Sequence, residues 1–138
     1  MNKFSNKLVA VVNQSVDVGK SMNALAHMCI GFGAALGKEN LQLVDYQDAD
    51  QGIHPNISKM PFIILTANSN KIRNLRKEVI NSHIQFVDFT DAMTVGSYQE
   101  QLEKSAQTKE EALTYFGIVL FGDWEKVSEL TRKFSLYK

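Results

Sequence analysis

Five consecutive apolar residues, Leu8-Val9-Ala10-Val11-Val12, constrain the fold more than any other feature of the sequence. The run is rich in β-branched side chains and shows no polar alternation, which is the pattern of a central strand covered on both faces. Such a strand needs helices above and below its sheet, and the following residues supply one. Asn13 to Val18 read as a turn, and a helix is expected from Gly19 to about Leu36. Met22, Leu25, Ala26, Met28, Cys29, Ile30 and Phe32 leave that helix little polar surface, so most of its circumference should be covered. Gly37 is a natural stop just past its end.

The same alternation of strand and helix continues along the chain. Leu41 to Tyr46 alternates and is expected as an edge strand, and Asp48 to Pro55 as a loop. Met60 to Thr66 holds a second apolar run, with Pro61 at its entrance, where a missing donor is tolerated. Asn68 or Ser69 can cap a helix over Asn70 to Asn81. That helix turns Ile72, Leu75 and Val79 inward and Lys71, Arg73, Arg76 and Lys77 largely outward. Ile84 to Phe89 reads as a strand, Tyr98 to Ser105 as a short helix, and Thr114 to Phe121 as a further strand. Asp123 caps a helix from Trp124 to about Arg132, and Phe134 to Tyr137 can add a short final strand. With no repeat, low-complexity tract or linker, 138 residues make one domain. The expected class is α/β, a three-layer sandwich with helices on both faces of the sheet.

Charge and cysteine usage narrow the function. Fifteen basic residues balance fifteen acidic ones, so no global field attracts polyanions and a nucleic acid would have to be held by a local patch. The outward cations of the Asn70–Asn81 helix are the one such patch, and a solvated face is the plainer reading of them. Cys29 is the only cysteine, which excludes an intrachain disulfide and suits a reducing compartment. The N-terminal stretch Met1 to Asn6 has no apolar signal core, and no run is long enough to span a membrane. A cytoplasmic location is expected, with no membrane partner.

The helix beginning at Gly19 carries the candidate site. Lys20, Asn23, Ala24 and His27 recur at three- and four-residue spacing and share one face. Seven residues span about 10 Å, so Lys20 and His27 would flank one bound molecule rather than touch. A lysine in a first turn opposes the helix dipole unless an anion compensates it, and free amides there already attract anions. The plainer alternatives are a Lys20 that reaches water, a core His27 bonded to a carbonyl, and an Asn23 that ties down a loop. A second candidate segment, Asp88 to Thr94, follows a strand, where α/β sheets place their ligands. If the strands Leu8–Val12 and Ile84–Phe89 are parallel neighbours, Asp88 or Asp91 can pair with Lys20 while Thr90 or Thr94 orients water. The alternative is a simple Asx- or Ser/Thr-type turn.

Three other signals are weak. Gly19-Lys20-Ser21 is similar to the end of a phosphate-binding loop, but Gln14 stands where that loop needs a glycine. His27 and Cys29 lie about 200° apart on the helix and form no dyad. Asp48, Asp50 and His54 match no metal cage, so neither a metal nor a cofactor is expected.

These segments, in this order, resemble the type 2 peptidyl-tRNA hydrolases, and most closely an uncharacterised sister group of small proteins thought to share that fold. The likeness runs from Lys7–Val12 through Gly19-Lys20, Ala26-His27 and Pro61–Leu65, then Asp91-Ala92, Gly96-Ser97, Gly117-Ile118, Asp123–Thr131 and Lys133–Tyr137. The sister group adds Asp48-Ala49-Asp50, His54-Pro55 and Arg132–Leu136. The resemblance implies a mixed four-stranded sheet with helices on both faces. It also implies a hydrolytic site in which Lys20, Asp91 and Thr94 are catalytic. Asp91 would hold the Lys20 ammonium, with Asn23, His27 and Thr90 lining the ligand. Where the hydrolases have a glutamine this chain has Ala24, and their Asp-Ala-Gly becomes Asp91-Ala92-Met93. The fold is therefore expected to transfer further than the activity. The expected partners are a small anionic ligand or an RNA-linked substrate, with tRNA disfavoured by the balanced charge, and a second copy joined through the sheet edge.

Overall fold

The computed structural model describes residues 4–138, so the first three residues of the polar N-terminal stretch lie outside it. The Leu8 run is the middle of β1 (Asn6–Asn13), the central strand of a five-stranded mixed sheet. It pairs in parallel with β4 (Phe62–Ala67) on one side and antiparallel with β6 (Tyr115–Asp123) on the other. Beyond β6 lies β5 (Gln85–Thr90), and beyond β4 lies the two-residue strand β7 (Ser135–Leu136). The sheet thus has five strands rather than the expected four, because the short C-terminal segment pairs with β4.

Alternate residues of β1 face two separate cores, which is why its sequence shows no polar alternation. Val9 and Val11 pack with Leu65, Ile118 and Leu120 against α2 (Ser69–Asn81) and α4 (Trp124–Thr131). Leu8 and Ala10 pack with Val119 and Phe121 against α1 (Val18–Leu41), through Ala24, Met28, Phe32 and Leu36. Helices therefore cover both faces. α1 runs past its expected end: Gly37 takes φ 82°, breaks the helix, and a last turn resumes until Gln42 ends it in the left-handed region.

Two expectations about the strands need correction. Leu41–Tyr46 is not an edge of the main sheet, and Asp48–Pro55 is a loop only as far as Gly52. Instead β2 (Leu43–Gln47) and β3 (Ile53–Ser58) form a separate antiparallel hairpin. Asp48 shapes its tip, accepting from the amides of Asp50 and Gly52 at 2.9 Å and meeting His54 Nε2 at 2.8 Å. Those contacts, the His54 hydrogen bond first, hold the Asp48 carboxyl below the usual range. Nor are β1 and β5 neighbours: β6 lies between them, antiparallel to both, so β1 and β5 still run in the same direction. Their C-terminal ends consequently lie at the same rim of the sheet. No helix among the described residues is long and apolar enough to cross a membrane.

Candidate functional site

At that rim, α1 leaves β1 and a 3-10 turn (Asp91–Thr94) leaves β5, followed by α3 (Tyr98–Gln107). Between them opens a cleft of about 830 Å³. Such a volume is ordinary for a small-molecule site. One wall is the outer flank of α1. Ser21, Ala24 and Met28 face the sheet and are buried, and the helical period therefore turns Gly19, Lys20, Asn23 and His27 into the opening. The floor is aromatic: Phe89 stacks on the His27 ring at 6.1 Å between centroids and meets Phe116 at 5.9 Å. The opposite wall is Met93 and Thr94 with Tyr98, Gln101, Leu102 and Ser105 of α3.

His27 is thus a cleft residue and not a core histidine. Lys20, Asn23 and His27 make no side-chain hydrogen bond or ion pair among the described residues. The start of α1 is equally open. Asp17 at its N-cap gives no side-chain cap, and no acidic residue occupies the first turn. The polar groups of three side chains and the uncapped amides therefore share one wall without hydrogen-bond partners among the described residues, and nothing in the first turn offsets the Lys20 cation.

The other sequence candidates are arranged differently. Asp91 does not pair with Lys20: its Oδ1 accepts from the Thr114 amide at 3.0 Å, while its own amide donates to the Thr114 carbonyl. Its side chain thereby clips the end of β5 to the start of β6. Asp88 cannot replace it, since it alternates onto the α2 face and binds Arg76 Nε at 2.8 Å. Burial opposes the Arg76 charge, but this bond and the Asp88 charge outweigh it, holding the guanidinium more firmly protonated than usual. Thr94 lines the cleft and donates its hydroxyl to the Asp91 carbonyl at 2.6 Å, leaving its oxygen able to accept. Thr90 is only 2% exposed and does not reach the cleft, and its hydroxyl has no partner among the described residues.

The basic face of α2 is also partly spent. Arg73 bonds Glu110 at 3.1 Å and Arg76 bonds Asp88, which leaves Lys71 and Lys77 as its outward cations. Sequence reasoning missed the α3 wall altogether. Tyr98 and Leu102 are four residues apart on a predominantly polar segment, and that spacing was the available signal.

Comparison with known proteins gives a fold and a family without an activity. No curated protein matches the chain. A solved structure titled as a protein of unknown function, Atu0240 from Agrobacterium tumefaciens strain C58, superposes with a TM-score of 0.84 at 16% identity. The match covers 98% of this chain and 99% of that one, so the two share the whole fold. The sequence profile of the family described as protein of unknown function (DUF2000) matches residues 6–138, and the chain belongs to that family.

Proposed function

We propose that the chain has a type 2 peptidyl-tRNA hydrolase-like fold and uses the cleft between α1 and α3 to bind a small anionic ligand. The fold reading rests on the order of the shared motifs, from Lys7–Val12 to Lys133–Tyr137, and on the mixed sheet that joins them. The ligand reading rests on one observation above all: Lys20, Asn23 and His27 share a cleft wall, and among the described residues none of their polar groups has a hydrogen-bond or ion-pair partner. An anion beside Lys20 would offset the cation at the helix start and take up amides that the chain leaves uncapped. No cofactor is needed for this role.

Calorimetric titration with phenyl phosphate at low salt tests it. Lys20→Ala should weaken binding about tenfold or more, the worth of one charge-assisted hydrogen bond. A Lys71→Ala/Lys77→Ala variant should bind like the unaltered protein. Equal affinity in Lys20→Ala would refute the site.

A second reading, hydrolysis of an ester or amide, is favoured by Lys20, His27 and Thr94 lining the same cleft. Water would attack the carbonyl carbon, positioned by the Thr94 oxygen. His27 would take its proton and return it to the leaving group, and Lys20 would steady the developing oxyanion. The aspartate-held lysine of the resemblance is not part of this scheme, because Asp91 is bonded to Thr114. Release of p-nitrophenol from p-nitrophenyl esters, or of the peptide from peptidyl-tRNA, should then fall about a hundredfold in Lys20→Ala. Absence of turnover by the unaltered protein leaves the binding role alone. With no net charge to draw in RNA, tRNA is the less favoured substrate carrier, and the proposal includes a homodimer and a cytoplasmic location.

A further inference from the structure

The anion would occupy only one end of the cleft, and the remainder is built for something else. Met28, Phe89 and Phe116 face it from α1 and the sheet, while Met93, Tyr98 and Leu102 face it from the 3-10 turn and α3. No residue of α3 is buried, yet Tyr98 and Leu102 project large apolar groups into the cleft and stay 74% and 48% exposed. They lie four residues apart, so one helical stripe is presented to the opening. Ser97 caps that helix by accepting from the Glu100 amide, and Tyr98 and Leu102 line the cleft that Lys20, Asn23 and His27 of α1 line too. Apolar groups aimed at each other across an open gap have something to gain from an occupant that covers both.

The charges define the occupant's other end. Lys20 is the cation of the lining, and Asp88, its acidic member, turns its carboxylate away to Arg76 on the α2 face. The cleft therefore offers positive charge at the α1 start and hydrocarbon beyond it.

We infer that the ligand is an amphipathic monoanion, a carboxylate or related acid whose apolar body lies between the aromatic floor and the Tyr98–Leu102 stripe. This rests on the anion-binding reading of the same cleft and adds the ligand class and the two residues that select it. Phosphate-rich or fully polar anions fill the Lys20 end without covering the apolar walls and bind weakly.

Titration with straight-chain carboxylates from acetate to octanoate tests the inference on the intact protein. Affinity should rise by up to about fourfold for each methylene that becomes buried. Tyr98→Ser/Leu102→Ser should flatten that rise with the fold checked by circular dichroism, while Lys71→Ala/Lys77→Ala, outside the cleft, should keep both the rise and the acetate affinity. Lys20→Ala should weaken every member equally and preserve the rise. A flat series in the unaltered protein, with acetate binding still lost in Lys20→Ala, would overturn the amphipathic ligand and keep the anion site. A rise that survives Tyr98→Ser/Leu102→Ser would place the hydrocarbon elsewhere and overturn it too. Indifference to both chain length and Lys20 would remove the two readings together.

Discussion

Tyr115 is the bulkiest side chain withdrawn fully from solvent, and its hydroxyl is not left unpaired. It donates to Glu110 Oε2 at 2.6 Å, and the same oxygen accepts from Arg73 Nε at 3.1 Å. Arg73 also donates to the Leu113 carbonyl, and its guanidinium lies 5.2 Å from the Tyr115 ring centre. The hydrogen bond from Tyr115, helped by the charge of Arg73, pulls the Glu110 carboxyl below the ordinary value of 4.5. Burial, reinforced by Glu110, pushes the Tyr115 phenol well above its ordinary value of 10.0. The signs differ. Glu110 is lowered in the folded chain, so its contribution is present above the unfolded value and is lost as pH falls through the folded one. Tyr115 is raised, so its contribution holds below the unfolded value and fades as pH climbs past it. Urea melts across pH should therefore lose stability at both extremes, and Glu110→Gln should flatten the acid limb and soften the alkaline one, since Glu110 also helps to raise Tyr115. An unchanged acid limb in that variant would mean that Glu110 is bonded as strongly in the unfolded chain.

The elements explain how much of this was legible in the sequence. β1, β4 and β6 could be read because strands covered on both faces must be apolar throughout, and Leu8–Val12 advertises that directly. β3 could not, because none of its residues is buried; nothing in its environment demanded a pattern from Ile53-His54-Pro55-Asn56-Ile57-Ser58. The site was legible only in half. The face of α1 carrying Lys20, Asn23 and His27 follows from helical spacing alone. The partner of Asp91 does not, because it is a backbone amide 23 residues ahead whose position depends on β6 lying next to β5. His27 was ambiguous for a similar reason: the cleft that exposes it is closed off by α3, a polar segment with no sequence mark of where it folds back. Packing between elements adds one sharp requirement. A Cβ at Gly117 would come within 2.9 Å of the Met28 methyl and 3.2 Å of the Val11 carbonyl oxygen. Gly117 is what allows α1 to settle on the sheet beside the cleft. Gly117→Ala should cost about 1–3 kcal/mol of stability by overpacking, measured by chemical denaturation. A cost near zero would show that Met28 moves aside freely.

At the scale of the whole molecule, one end of the sheet gathers the features that the core does not need. β1 and β5 end there in the same direction, α1 begins there without a cap, and α3 crosses in front with no buried residue. The opposite faces of the sheet are filled, and Arg73 and Arg76 on α2 are held by carboxylates. Charge left without a partner and hydrocarbon left uncovered thus meet in one cleft, and the central claim is that a small anion belongs there. Following backbone and side-chain amide signals of the ¹⁵N-labelled protein by NMR during titration with phenyl phosphate tests this most directly. The account predicts that Gly19, Lys20, the Asn23 side-chain amide and the Phe89–Thr94 segment shift together along one binding curve, and that Lys20→Ala moves this curve to about tenfold higher ligand or beyond. Shifts centred on Lys71 and Lys77 of α2, or unchanged by Lys20→Ala, would contradict it.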